Sequence, residues 1–368
     1  MPVRKSANNP SPRTLYRSLE RWFGRHARKL PWRGDTDPYR IWISEIMLVQ
    51  TTVAVAANRY PRFLKRFPTL ESLAGARPDS VMKEWEGLGY YHRARYLHQA
   101  ARLIRDEFGG QFPREYEDIR ALPGVGDYVA ASVSNFCFGT RIPAIDANVA
   151  RVAARLFVIP GDVRSTTLRK RVHDALSRLM VTGRGALWTD GLIEVGALIC
   201  SPRSPRCDKC PFAEYCAAHG QGREDAFGVP PVKATRRSVA VACGIIRRPD
   251  GRILIAQRPP TGLLPDLWEF PGGKRQGNEP LAETCRREIV EELGIQVKVG
   301  LRRMVIAHAY SHYSVRLHVF DCRYTHGEPK AIGCQKWRWV RPNELARFAF
   351  PTANRAIIAE IVADQSQN

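Results

Sequence analysis

The chain has 368 residues, 57 of them Lys or Arg against 36 Asp or Glu, a formal net charge of +21. That length is too great for one ordinary core and implies two domains. The positive excess goes well beyond what solubility needs and points to a polyanion, nucleic acid first, while no apolar run nears the ~18 residues that would cross a bilayer.

The first nineteen residues lack the apolar segment of a secretion signal, and residues 1–10 read as a flexible basic tail. Leu15, Leu19, Trp22 and Phe23 recur at helical spacing and predict a first amphipathic helix, ended by Leu30-Pro31-Trp32-Arg33. Asp37-Pro38 is an N-cap followed by Pro at the first helical position, so a helix starts there and carries Glu45 among Ile43, Ile46 and Met47. Further helices are predicted near 54–67, 79–86, 93–108, 127–138, 148–156, 168–179 and 186–199. Residues 11–219 therefore read as an all-α domain. From 220 to 237 Gly, Pro and charge replace periodic apolar residues, the signature of a linker. Residues 238–368 alternate short β-rich runs (239–247, 253–258, 297–308, 315–324) with helices at 281–293 and 354–362, an α+β domain with a mixed sheet.

Cys200, Cys207, Cys210 and Cys216 lie within seventeen residues and are able to fold around one centre. Four cysteinates suit tetrahedral zinc or an iron–sulfur cluster. A zinc ribbon would pair two C-x2-C knuckles; the single knuckle here, with wider gaps around it, leaves room for a larger cubane. The other five cysteines are scattered, and free thiols beside such a centre imply a reducing cytosol, hence a cytoplasmic protein. About seventy residues earlier, Leu122-Pro-Gly-Val-Gly126 opens a helix. Gly124 and Gly126 permit close backbone approach, and the helix start offers N–H groups to an anion.

Two carboxylates suggest the chemistry. Burial of Glu45 would raise its pKa and keep it protonated near neutral pH, as a proton donor must be. Taken alone, Glu45 reads more readily as half of a structural ion pair with Arg33 or Arg40. Asp146, just before a helix, is either that helix's N-cap or an anion facing a developing cation. Breaking an N-glycoside calls for both an acid on the leaving base and an anion near the sugar.

Leu30-Pro-Trp-Arg33, Trp42-Ile-Ser-Glu-Ile-Met-Leu-Val-Gln-Thr51, Gly87-Leu-Gly-Tyr-Tyr91, Leu122-Pro-Gly-Val-Gly126 and Asp146-Ala-Asn-Val149 resemble the adenine DNA glycosylase (MutY) family of the helix-hairpin-helix superfamily, across the whole first domain. The resemblance implies Glu45 as acid, Asp146 as stabiliser of the sugar cation and Tyr128 beside the reacting centre. It implies a 4Fe-4S cluster on the four cysteines, and DNA contacts from Arg33, Gln50, Thr51, Leu88, Tyr90, Gly124, Gly126 and Asn148, with Gln50, Thr51, Leu88 and Tyr90 wedged into the duplex. The expected partner is double-stranded DNA with adenine opposite 8-oxoguanine or guanine, engaged by a monomer. Tyr128 stands where strand-nicking relatives carry lysine; a phenol forms no Schiff base, so excision is expected to be monofunctional. Val49 replaces the family's usual glutamine and Ala147 its usual glycine, the latter resembling thymine–guanine mismatch glycosylases.

In the second domain, Gly273-x5-Glu279-x7-Arg287-Glu-Ile-x-Glu-Glu-x-Gly294-Ile295 fits the Nudix signature. Glu288, Glu291 and Glu292 share one helical face, and like charges so placed repel unless a cation, such as magnesium on a diphosphate, sits among them. Tyr310, Ser311 and His312 resemble the loop with which the MutY family reads the lesion, and Phe350-Pro-Thr-Ala-Asn354 resembles the purine-reading tail of MutT-type hydrolases. Two alternatives follow: a hydrolase of oxidised nucleoside triphosphates fused to a DNA-binding domain, or a glycosylase for another mismatch such as thymine–guanine.

Overall fold

The computed structural model describes residues 10–229, 237–309 and 313–365. They form two compact units: residues up to Gly75 together with those from Gln99 to 229, and Ala76–His98 together with the residues from 237 onward.

Helices α1 (Pro12–His26), α2 (Pro38–Leu48), α3 (Val53–Arg66) and α4 (Leu70–Ala74) open the chain. Then come α5 (Pro78–Glu84), α6 (His92–Glu107), α7 (Tyr116–Ala121), α8 (Asp127–Phe138), α9 (Ala147–Leu156), α10 (Thr166–Leu179), α11 (Gly185–Leu198) and α12 (Ala217–Gly220). The predicted starts are recovered with their causes. Asp37 caps α2, accepting the Tyr39 and Arg40 N–H groups, with Pro38 at the first helical position. The short helices α4 and α7 went unpredicted because five or six residues show no period. In the first unit Leu15, Leu19 and Trp22 of α1 pack with Val149, Val152 and Leu156 of α9 and with Trp188 and Leu192 of α11. Gly196 lets α11 approach α9 closely, since a Cβ there would lie 2.5 Å from that of Asn148.

Residues 220–229 are more ordered than a linker. A 3-10 turn at Glu224–Ala226 precedes a buried Phe227, and the Arg155 guanidinium holds the carbonyls of Glu224 and Phe227 at 2.9 and 3.1 Å.

The second unit is a seven-stranded mixed sheet of β1 (Arg237–Arg247), β2 (Ile253–Gln257), β3 (Trp268–Glu269), β4 (Gly272–Lys274), β5 (Gln296–Ala309), β6 (Tyr313–His326) and β7 (Lys336–Val340). Its order is β3-β2-β1-β6-β5, with β4 on β1 and β7 on β2; β1 and β6 run parallel. Alternation along β1 sends Cys243 and Ile245 to one core, shared with Ile357 and Ile361 of α14 (Asn354–Gln365), and Ala242 and Ile246 to another, shared with Cys285, Ile289 and Leu293 of α13 (Leu281–Leu293). The architecture is thus a helical domain followed by an α+β domain. Among the described residues no helix is long and apolar enough to cross a membrane.

Candidate active site

A cavity of about 1100 Å³ in the first unit is lined by Glu45 from α2, Gly124 and Gly126 from the hairpin, Tyr128 from α8, Asp146 and Asn148 at the start of α9, and Asp190 and Glu194 from α11. Gly124 takes φ +75°, the left-handed turn that aims α8 at this space. A Cβ on Gly126, the N-cap of α8, would meet nothing within 4 Å, so the room beside that helix start is open to a ligand.

Glu45 is buried at 4 % exposure, and burial is the main cause that pushes its carboxyl up to about 7; a hydrogen bond from Tyr128 opposes this and the charge of Asp190 adds to it. Its Oε2 has no hydrogen-bond partner among the described residues. A buried carboxyl without a countercation is suited to holding a proton and giving it up. Neither expected ion pair forms: Arg40 pairs with Asp35 at 2.7 Å, and Arg33 with Glu194 at 2.9 Å and Asp190 at 3.2 Å. Burial, reinforced by the charges of Glu45 and Asp146, raises the Tyr128 phenol well above its usual range, so it stays a donor.

Asp146 is the N-cap of α9 and also lines the cavity. Its Oδ1 caps α9 by accepting the Val149 N–H at 2.7 Å, and its Oδ2 accepts from Asn148 Nδ2 at 2.8 Å, while the carboxylate lines the cavity. Burial raises its pKa, and those two donors work against the rise.

Several expected DNA contacts are placed differently. The Arg33 guanidinium is held inside, against the Arg28 carbonyl (2.7 Å), Asp190 and Glu194, over the Phe23 ring; it organises the cavity wall and is not free for phosphate. Asn148 is spent on Asp146 and, through Oδ1, on Arg151 (2.8 Å). Gln50 is exposed in a left-handed conformation (φ +58°) beside Thr51 on the cavity rim. Leu88 and Tyr90 lie in the second unit. Leu88 is 4 % exposed, a core residue here and not an open wedge, because its turn folds back on Arg93, which donates to the Leu88 and Gly89 carbonyls. Tyr90 is half-buried at φ +46°. Tyr310, Ser311 and His312 lie outside the described residues.

Sequence reading missed Arg28, Asp190, Glu194, Arg151 and Arg155. The last two were detectable: two arginines four apart in the otherwise apolar α9 must find buried acceptors. Arg151 Nε donates to the Cys200 carbonyl at 2.6 Å, and Arg155 donates to Cys200 Sγ at 3.4 Å and to the carbonyls of Ser201 and Pro202 at 2.7 Å. Glu224 accepts from His219 at 2.6 Å and reaches Cys207 Sγ at 3.6 Å.

The four cysteines gather around one point, yet among the described residues no three of their sulfurs lie within 4.8 Å of one another. Tetrahedral zinc, with sulfur at ~2.3 Å, would set them about 3.8 Å apart. The wider spread and the Arg155 donor on Cys200 fit an iron–sulfur cluster.

In the second unit Arg287 supplies the cation that the acidic face of α13 needs, pairing with Glu279 (2.8 Å), Glu288 (2.9 Å) and Glu291 (3.0 Å). Glu292 stands apart, raised to about 8 mainly by burial and then by the charge of Glu269, with the Gly272 N–H against it. Glu288 and Glu292 both border the Gly272–Gly273 turn, while Glu291 is taken up by Arg287. The predicted purine-reading tail is buried as well: Phe350 is fully covered and Asn354 is 7 % exposed.

Residues 43–177 match the HhH-GPD superfamily of base excision DNA repair proteins, residues 200–216 the iron-sulfur binding domain of endonuclease III, and residues 242–360 the NUDIX domain. The human adenine DNA glycosylase is 30 % identical over 92 % of this chain and 72 % of its own. That of Buchnera aphidicola subsp. Schizaphis graminum is 34 % identical over 54 % of this chain and 57 % of its own. Among solved structures, a thermostable thymine-DNA glycosylase is similar with a TM-score of 0.54 and 29 % identity, covering 59 % of this chain and all of that one.

Proposed function

The chain belongs to the adenine DNA glycosylase family, and from that premise we propose that it excises adenine opposite 8-oxoguanine or guanine in duplex DNA, with Glu45 as proton donor and Asp146 as the anion that faces the sugar. The observation that carries this reading is that both carboxylates, with Tyr128, line one cavity large enough for an extruded nucleotide. Extrusion takes the base out of the stack and into that cavity. Glu45 protonates a ring nitrogen of the adenine, the glycosidic bond breaks with its electron pair leaving on the base, and Asp146 stabilises the cation left on the sugar until water adds. Tyr128 donates toward Glu45 and offers no amine for strand cleavage. Cys200, Cys207, Cys210 and Cys216 would hold the cluster, which fastens the loop bearing Arg203, Arg206 and Lys209 for phosphate contact. The free thiols favour a reducing, cytoplasmic setting.

A second reading, thymine opposite guanine, is favoured by Ala147 and by the likeness to the thymine-DNA glycosylase. Single-turnover assays on duplexes with adenine or thymine opposite guanine or 8-oxoguanine separate the two; release of thymine but not adenine would overturn the first. We read the Nudix-like domain as a lesion reader, because Arg287 occupies its acidic face and its tail is buried. Incubation with magnesium and 8-oxo-dGTP is expected to release no pyrophosphate.

A further inference from the structure

In the second unit the strip Phe348–Phe350 has its backbone polar groups claimed from two sides. Lys83 Nζ donates to the Phe348 carbonyl at 2.9 Å, the Phe350 N–H donates to Glu86 Oε1 at 3.5 Å, and the Tyr91 hydroxyl donates to the Phe350 carbonyl at 3.3 Å. From the sheet side, the Trp268 N–H holds the Ala349 carbonyl at 2.8 Å, and the Phe270 and Phe350 rings stack with centroids 5.5 Å apart. The same Tyr91 hydroxyl accepts the Gly87 N–H at 3.4 Å, and Lys83 also pairs with the buried Glu86 at 2.7 Å. Beyond the strip, Arg95 donates to the Pro260 carbonyl at 2.7 Å and pairs with Asp266 at 3.1 Å. Between these anchors lies a turn in which Gly87, Gly89 and Tyr90 all take positive φ (93°, 69° and 46°). Such a conformation at a tyrosine is costly and persists only where the surroundings impose it.

We infer that the compact unit built on the Nudix-like sheet also holds the duplex-probing turn Gly87–Tyr90, with Tyr91 and Glu86 as positioning residues that rivet the turn to Phe350. The inference rests on the reading of Tyr90 as the residue that presses on the base stack. Its consequence is that the lesion-reading sheet and the turn that opens the duplex belong to one compact unit. It also accounts for the buried tail: the backbone of Phe350 serves the turn and not a free purine.

The test uses full-length protein and duplex DNA with 2-aminopurine at the target position, whose fluorescence rises on extrusion. Tyr91→Phe and Glu86→Gln are expected to slow that rise by about fivefold or more, as a misplaced turn would, while leaving the pH profile of excision unchanged. Tyr90→Ala tests the underlying reading: if it slows extrusion and both rivet variants keep the native rate, the inference is overturned and the reading stands. Native extrusion in Tyr90→Ala sinks the reading instead. Hydrogen exchange at residues 87–91 without DNA tests the rivet by itself. Faster exchange in Tyr91→Phe supports it, and unchanged exchange overturns it even should Glu86→Gln fail to fold.

Discussion

Asn148 donates to Asp146 Oδ2 at 2.8 Å while accepting from Arg151 at the same distance, so the carboxylate proposed to face the sugar is aimed by a side chain that is itself held in place. Asn148→Ala would leave Asp146 only backbone donors, the N–H groups of Val149 and of residue 148 itself. A single-turnover excision rate lower by about 10- to 100-fold is expected, the scale of a misplaced catalytic group, with duplex affinity within about threefold of native. A parallel loss of affinity would place Asn148 on DNA instead.

The protonation state of Glu45 sets the pH dependence. With its carboxyl near 7, excision should be flat below about pH 7 and fall about tenfold per unit above it, and Glu45→Gln should lose at least about 100-fold in rate. Stability moves with the same proton. The folded state retains a proton that the unfolded chain releases between pH 4.5 and 7, so stability declines as pH rises through that window and stays lower above it. Glu45→Gln avoids this loss. Its thermal-stability advantage should widen from pH 4.5 to 7 and level off at about 3 kcal/mol at most. An advantage independent of pH would mean that Glu45 is not held protonated by burial.

Much of this was legible before any coordinates. Asp37-Pro38, the four cysteines and the Leu122–Gly126 hairpin are local signals, each fixing its own backbone whatever the rest of the chain does. What escaped depends on partners distant in sequence. Arg33 looks like a phosphate contact until Asp190 and Glu194, more than 150 residues away, close on it. Leu88 looks like a wedge until Arg93 folds its turn inward. The Arg287 clamp was half visible: its spacing to Glu291 is read from the helix, but its reach to Glu279 requires the loop before α13. Strands β3 and β4 were missed because they span only two or three residues and take their identity from pairing.

Arg33→Ala separates wall from phosphate contact. Glu194 is fully buried and would keep only Arg28, so a loss of about 2–3 kcal/mol in thermal stability is expected, below the full cost of orphaning a buried charge. The slope of log Kd against log salt should stay as it is. Unchanged stability with a slope lower by about one would return Arg33 to the DNA surface.

The cysteine loop yields the last prediction. Residues 200–216 match the iron-sulfur binding domain of endonuclease III, and Arg155 donates to Cys200, so the group expected on the four cysteines is a cluster of four irons. Anaerobically purified protein should therefore carry about four irons and four acid-labile sulfides per chain, with zinc well below one. Cys210→Ser should lose that iron. With it goes the fixed placement of Arg203, Arg206 and Lys209, so the salt slope of duplex binding should fall by about two to three. The glycosylase chemistry of the cavity residues is not routed through the loop, so excision under saturating protein and low salt should fall much less than binding at high salt. Stoichiometric zinc in active protein would overturn the assignment of the centre.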